Sequence, residues 1–165
     1  MAQQIYPLKQ VMEVKQRRVD EAERVVKQKR AALEAEKEKL KAREADRDKA
    51  AKHHMSKLTQ LRNRLDEGTT TDKIIQMKDY LKVAKERVKA EEKKVKEQQE
   101  QVDLATKNLT MAQNDLRLRR QEVDKLETHR KDWVKQMRKE EEIIEGREQD
   151  EIGTVIFSIR QRMNG

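Results

Sequence analysis

The sequence predicts an all-α protein: a long two-helix antiparallel coiled-coil hairpin whose second helix extends beyond the first at its C-terminus. Charged residues occupy 44% of the 165 positions and hydrophobic residues 34%, which leaves little for a globular core. Helix breakers are scarce, with four Gly and one Pro. Apolar residues instead recur every seventh position in two long ladders, as they do in left-handed coiled coils. We therefore expect one elongated domain over residues 1–165.

The first helix is predicted over about residues 7–66. Its ladder starts at Met12 and ends at Leu61, and six of the eight residues spaced by seven are apolar. The second seam of this helix carries several Lys and Arg, whose aliphatic stems can lie along an apolar surface while their charges stay in water. Periodicity therefore indicates one continuous helix that buries a narrow stripe.

The stretch "RLDEGTTTDK", residues 64–73, is the one break in the helical pattern. Its Gly suits the left-handed position just past a helix end. The Thr residues that follow match the capping pattern [ST]-x-x-[DE], with three alternative caps. A phosphate-binding loop would need a second Gly and a Gly-Lys pair, which are missing. The predicted turn spans residues 67–71, and its turn and cap residues are Gly68, Thr69, Thr70, Thr71 and Asp72.

The second helix is predicted over about residues 72–163, and ten of the eleven positions spaced by seven from Ile74 are apolar. Folding at the break so that paired positions sum to 138 brings the two ladders together, with large residues facing small ones. In this register Arg47 faces Glu91, Ile5 meets Trp133, and residues after about 137 have no partner helix. The predicted seam comprises Met12, Val26, Leu33, Leu40, Leu61, Leu81, Val88, Val102, Leu109, Leu116, Val123 and Trp133.

Composition also limits the functional classes. The net charge is +8, and residues 1–66 alone carry +7, which favours an acidic partner. The chain has no Cys, which excludes disulfides and thiolate metal sites and fits a reducing compartment. We see neither a signal peptide at the start nor an apolar run long enough to cross a membrane, and we expect a cytosolic protein.

No candidate catalytic or metal site emerges. His53 and His54 are adjacent, so on a helix they point about 100° apart and do not share a face as metal ligands would. The many carboxylates have no predicted cleft to perturb their pKa values. We therefore expect a non-enzyme with no catalytic residue, metal or cofactor. Basic clusters at Arg17–Arg18 and residues 117–120 leave a nucleic-acid-associated coiled coil open, although no groove-reading motif or stacking platform accompanies them.

Apolar residues outside the seam mark two candidate contact surfaces. Near the turn these are Ile75, Tyr80 and Val83; the alternative is that they are isolated surface residues. Near the C-terminus, the most apolar stretch of the chain contains Ile152, Val155, Ile156, Phe157 and Ile159. With the exception of Phe157, these residues and Met163 keep helical spacing, which is typical of a docking helix; the alternative is a frayed tail.

Three strings carry a family resemblance: "IYPLKQVMEVKQRRVDEAE", "LRNRLDEGTTTDKIIQMKDYLKVA" and "KDWVKQMRKEEE" before "EQDEIG". Together they resemble the type III secretion stalk family, which includes flagellar FliJ and injectisome YscO, and the chlamydial type most of all. The resemblance implies a non-enzymatic cytoplasmic component of the export apparatus, peripheral to the inner membrane. It further implies a hairpin similar to the stalk of rotary ATPases, inserted in the secretion ATPase hexamer and linked to the export gate.

The resemblance also gives the two surfaces their expected partners. The end that carries both termini is expected to enter the ATPase ring, and the turn to point toward the export gate. The hypothetical ATPase-docking residues are Ile5, Tyr6, Leu8, Ile152, Val155, Ile156, Phe157 and Ile159. The patch of Ile75, Tyr80 and Val83 is the hypothetical site for the gate or for a secretion chaperone. A chaperone-binding escort module of the same system is the alternative function, followed by the nucleic-acid-associated coiled coil.

Overall fold

In the computed structural model, which describes residues 4–165, two helices make up nearly the whole chain. Helix α1 spans Lys9–Glu67 and helix α2 spans Thr71–Asn164, with no strand among the described residues. The predicted all-α class, an antiparallel hairpin with a longer second helix, is confirmed. Helix α1 starts two residues later than expected, since Pro7 and Leu8 form a turn in which the Lys9 amide donates a hydrogen bond to the Tyr6 carbonyl. No helix within this part of the chain is long and apolar enough to cross a membrane.

The hairpin divides into two compact units. The first is built from the described residues up to Glu21 together with Arg117–Gly165, and the second from Ala22–Leu116. Each unit contains a segment of α1 and a segment of α2. The second unit contains the turn between the helices. The first unit contains the segment before α1 and the C-terminal part of α2.

The turn of the second unit consists of residues 68–70. Gly68 has φ +86°, the left-handed conformation in which a helix commonly ends. The amide of Ile74 donates a hydrogen bond to the Thr70 carbonyl at 3.2 Å, which puts Thr70 in the N-cap position of α2. Of the three predicted alternative caps, Thr70 therefore holds the position, while Thr71 and Asp72 lie in the first turn of α2.

We expect Gly68→Ala to destabilise the hairpin by about 1–2 kcal/mol, because a residue with a Cβ is strained at positive φ. Nothing lies within 4 Å of the added Cβ, so the effect would be conformational rather than steric. Gly153→Ala is the matched control, since it lies inside α2 in equally open space, where Ala is preferred to Gly. Thermal unfolding followed by circular dichroism should show a lower midpoint for the first variant only; equal midpoints would contradict the assignment.

The core of both units is a thin stripe of small and medium-sized apolar residues. Every buried residue within the two helices falls on one of the two predicted ladders or three positions on from it, on the second seam of the same helix. No side chain among the described residues is completely buried, as expected where two helices cover each other on one face only. The buried set is Val19, Ala22, Val26, Leu33, Ala50, Leu61, Ala84, Val102, Ala112, Leu116 and Val123. The other six predicted seam residues, Met12, Leu40, Leu81, Val88, Leu109 and Trp133, are half-buried.

Polar seam residues of the second unit pair across the helices at one point. Gln98 Nε2 donates hydrogen bonds to a Glu36 carboxylate oxygen at 2.5 Å and to the Glu36 backbone carbonyl at 3.0 Å. The hydrogen bond from Gln98 lowers the pKa of the Glu36 carboxyl. The pairing of these two positions differs from the predicted register by less than seven residues. The contact joins α1 to α2 at a level of the seam that has polar residues on both helices.

The expected pairing of Arg47 with Glu91 does not form. Arg47 contacts Asp48 at 3.3 Å, and Glu91 contacts Lys94 at 3.4 Å. Each charge finds a partner on its own helix, because the Arg side chain can lie along the helix surface toward water. As a result, Oε2 of Glu91 is buried without a hydrogen-bond partner.

In the first unit, Lys15 of α1 and Glu122 of α2 form a salt bridge at 3.0 Å. The hydrogen bond from Lys15 lowers the pKa of the Glu122 carboxyl, and the positive charges of Arg119 and Arg18 act in the same direction. The pairing of Lys15 with Glu122 also differs from the predicted register by less than seven residues. It shows that antiparallel pairing continues in the unit that holds the N-terminal segment.

Candidate partner-docking site

The last part of α2, residues 138–165, is here called the α2 extension. Every residue in it except Gly146 is exposed. Six large hydrophobic side chains of its last fourteen residues face solvent, from 47% exposed for Ile156 to 80% for Met163. Because an unpartnered apolar surface is unfavourable in water, such a segment is typical of a protein-binding site.

Five of these six side chains share one face of the helix. At about 100° per residue, Ile152, Val155, Ile156, Ile159 and Met163 lie within an arc of about 100°. Phe157 lies about 140° from Ile152 and belongs to the other side of the helix. The predicted docking set therefore contains one residue off the stripe, and it omits Met163, which the same helical spacing includes.

Polar side chains of the extension are satisfied by the helix itself. The hydroxyl of Thr154 donates to the Asp150 carbonyl at 2.8 Å, and the hydroxyl of Ser158 donates to the Thr154 carbonyl at 2.9 Å. Hydroxyls bonded in this way to the preceding turn are less available to a partner. Among the uncharged residues of the extension, the apolar stripe is therefore the main feature left available to a partner.

The residues near the N-terminus that were predicted to dock do not lie together with this stripe. Tyr6 is buried, with its hydroxyl 2.5 Å from Nδ1 of His129 and its ring edge-on to Trp133. Trp133 precedes Ile152 by about 28 Å of helix. Ile5 is 76% exposed, while Leu8 is half-buried. Tyr6 thus anchors the segment before α1 to α2, and it occupies the Trp133 contact that was expected for Ile5, since the chain is not yet helical there.

The three residues predicted near the turn spread over an arc of about 140° around α2. Tyr80 and Val83 are three residues apart and share a face, whereas Ile75 lies about 140° from Tyr80 and about 80° from Val83. All three side chains are exposed. The structure therefore presents Tyr80 and Val83 as one surface, with Ile75 at its edge on the side of Val83.

Tyr80 is half-exposed because two side chains of α1 pack on it. Its hydroxyl is 2.7 Å from His53 Nε2, and Lys57 Nζ lies 5.4 Å from its ring centre. The tyrosine therefore contributes to the hairpin as well as to its surface. Sequence reasoning considered His53 as a metal ligand and missed this contact, because the contact depends on the position of the other helix.

Within residues 4–165, no group of three or more His, Asp or Glu side chains is placed to hold a metal ion. The concave surfaces are shallow grooves along the helix pair. One of them, beside the segment that precedes α1, is lined by residues that include Ile5, Tyr6, Met12 and Arg130. The exposed features thus consist of helix faces and grooves between helices, which are suited to other proteins.

Two paired helices with an exposed, apolar continuation of the second define an all-helical protein-interaction module. A family model described as YscO-like protein matches residues 3–163. The chain therefore belongs to the YscO-like family of type III secretion proteins.

One solved structure agrees closely with this assignment. CT670 from Chlamydia trachomatis, a proposed YscO homolog, is 46% identical and has a TM-score of 0.90, covering 95% of this chain and 97% of its own. A chain of the Chlamydia pneumoniae CdsV and CdsO protein complex is 49% identical, covers 51% of this chain and 98% of its own, and has a TM-score of 0.48. No curated protein matches the sequence significantly.

Proposed function

We propose that this chain is the non-enzymatic central stalk of a type III secretion ATPase. In this function the chain inserts into the ATPase hexamer, links it to the export gate, and acts at the cytoplasmic side of the inner membrane. Membership of the YscO-like family supports a role in type III secretion. The finer assignment rests on one structural observation, the exposed α2 extension with its apolar stripe.

The stripe supports docking in a ring because it is carried by a single helix. At its level α2 is covered by no other described part of the chain, so a partner can surround it on several sides. Burial of five apolar side chains would contribute roughly 1.5–3 kcal/mol each before the costs of association. That is enough to hold a helix in a collar of apolar residues.

The charge of the rest of the hairpin supports reversible contact with an acidic pore or gate. Residues 1–66 contain 18 Lys and Arg against 11 Asp and Glu. Exposed charges of one sign raise the rate of association with an oppositely charged surface and add little to the affinity of the final complex. Tyr80 and Val83 are the apolar residues that we propose for the gate contact.

The proposal is tested by mixing the purified chain with its cognate secretion ATPase. We expect the two proteins to co-elute on size exclusion and the chain to raise the rate of ATP hydrolysis several-fold. The matched control is the Ile152→Ser, Ile159→Ser double variant, which alters the stripe and leaves the paired helices intact. We expect it to lose both effects.

Each outcome separates the candidate functions. Absence of co-elution overturns the stalk proposal. Co-elution without stimulation favours the alternative, a module that escorts chaperones and meets the ATPase transiently. In that case Val83→Ser, which changes an exposed residue three positions from Tyr80, should reduce chaperone capture.

A further inference from the structure

Charge and hydrophobicity are separated along the α2 extension. Residues 140–151 contain seven Asp and Glu and one Arg, whereas residues 152–165 contain no acid and two Arg. Elsewhere on the hairpin, acids and bases alternate and form pairs three residues apart, such as Glu34 with Lys37. The extension is therefore an acidic segment followed by an apolar one.

Helix geometry places part of the acidic segment in line with the apolar stripe. Glu141, Glu145 and Glu148 are spaced by four and three residues, and Ile152 follows after four more. At about 100° per residue, all three carboxylates fall within the arc of the stripe. They are exposed, and within the described residues no ion pair or hydrogen bond engages them. One helix face thus consists of an acidic half and then an apolar half.

We propose that the partner of this face is a protein surface with cationic side chains beside an apolar groove, arranged in that order along the helix. The acidic half sets the rate of association, and the apolar half sets the rate of dissociation. The inference rests on the proposed function, in which this partner is the secretion ATPase.

The division of roles follows from the range of the two forces. Exposed charges act over about 10 Å at 0.1 M salt, so they guide a partner before contact. Apolar surfaces gain free energy only when water is excluded, so they act after contact and slow dissociation. A face that carries both in sequence is suited to capture followed by retention.

A second copy of this chain fits the face poorly. In parallel self-association the two acidic halves would lie against each other and repel. In antiparallel self-association along the whole face, each acidic half would cover the five apolar side chains of the other copy, and only Arg160 and Arg162 at the edges of the stripe could pair with its carboxylates. A cationic and apolar partner avoids both costs.

The test measures binding kinetics of the full-length chain with the purified ATPase at low and high salt. The charge variant is Glu145→Gln, Glu148→Gln. Its control is Glu97→Gln, Glu100→Gln, which removes the same charge from exposed positions, also three residues apart, in the other compact unit. We expect the charge variant to associate about fivefold more slowly than the control at low salt, with dissociation unchanged. The difference should vanish near 1 M salt, where charges are screened beyond about 3 Å.

A complementary variant, Ile152→Ser, Ile159→Ser, should instead raise the dissociation rate while association changes little. Equal association rates for the charge variant and its control at low salt would overturn the inference, as would an effect of the charge variant on dissociation alone. If the unaltered chain does not bind the ATPase at all, the proposed function itself fails. The two failures are therefore distinguishable.

Discussion

A chain ending at Arg138 is expected to lose ATPase binding completely while its hairpin stays folded. The truncation removes residues 139–164 of α2, about a sixth of all helical residues. It removes every residue of the apolar stripe and none of the buried core. Because the removed side chains are exposed, their loss should cost the remaining hairpin little stability.

Circular dichroism and co-elution with the ATPase measure the two halves of this prediction. The helical signal should fall by about a sixth, and the unfolding midpoint should stay within a few degrees. A finer comparison uses Ile159→Ser on the stripe and Phe157→Ser off it, whose side chains are exposed to similar extents. The first should weaken binding more. Loss of most helicity on truncation, or retained binding, would contradict the proposed docking site.

The second large effect concerns stability. Val102→Asp is expected to destabilise the hairpin by about 3 kcal/mol, because a carboxylate would replace an apolar side chain that is only 7% exposed. Leu104 lies two residues further on the same helix and is 52% exposed. Leu104→Asp therefore introduces the same charge at almost the same place without burying it, and we expect an effect within about 0.5 kcal/mol.

Thermal unfolding of the two variants tests whether Val102 lies in the buried seam and Leu104 on the surface. For a chain of this size, 3 kcal/mol corresponds to a fall of roughly 10 °C in the midpoint. Val102→Asp should show this fall, and Leu104→Asp should unfold close to the unaltered chain. Similar midpoints for both would mean that the helix buries a different stripe. Both variants should be measured at the same protein concentration, so that any self-association affects them equally.

Much of the fold was predictable because the decisive pattern is local and repeated. Each apolar residue of a ladder adds to the same period, so isolated exceptions such as Arg47 do not obscure it. Leu61 before the break and Leu81 after it belong to two ladders that can cover each other once the chain reverses. Gly68, followed by the Thr residues, marks where it does.

The candidate site was only partly predictable from sequence. The apolar stretch of the extension was visible as composition, and helical spacing separates its stripe from Phe157. Tyr6 is the clearest difference: sequence reasoning assigned it to docking, whereas the structure buries it against Trp133. Its environment depends on where α1 starts and on which residues of α2 lie opposite, and neither is a local property.

By itself the sequence determined the two helices, their antiparallel pairing, the seam and the presence of an apolar segment beyond it, because these follow from periodicity and from a single break. Only the tertiary structure decided which polar groups meet across the pair. Gln98 reaches Glu36, Tyr80 reaches His53, and Arg47 turns to its neighbour Asp48 instead of to Glu91. Long polar side chains have several partners within reach, and the choice among them depends on distances of a few ångströms that a seven-residue period does not specify.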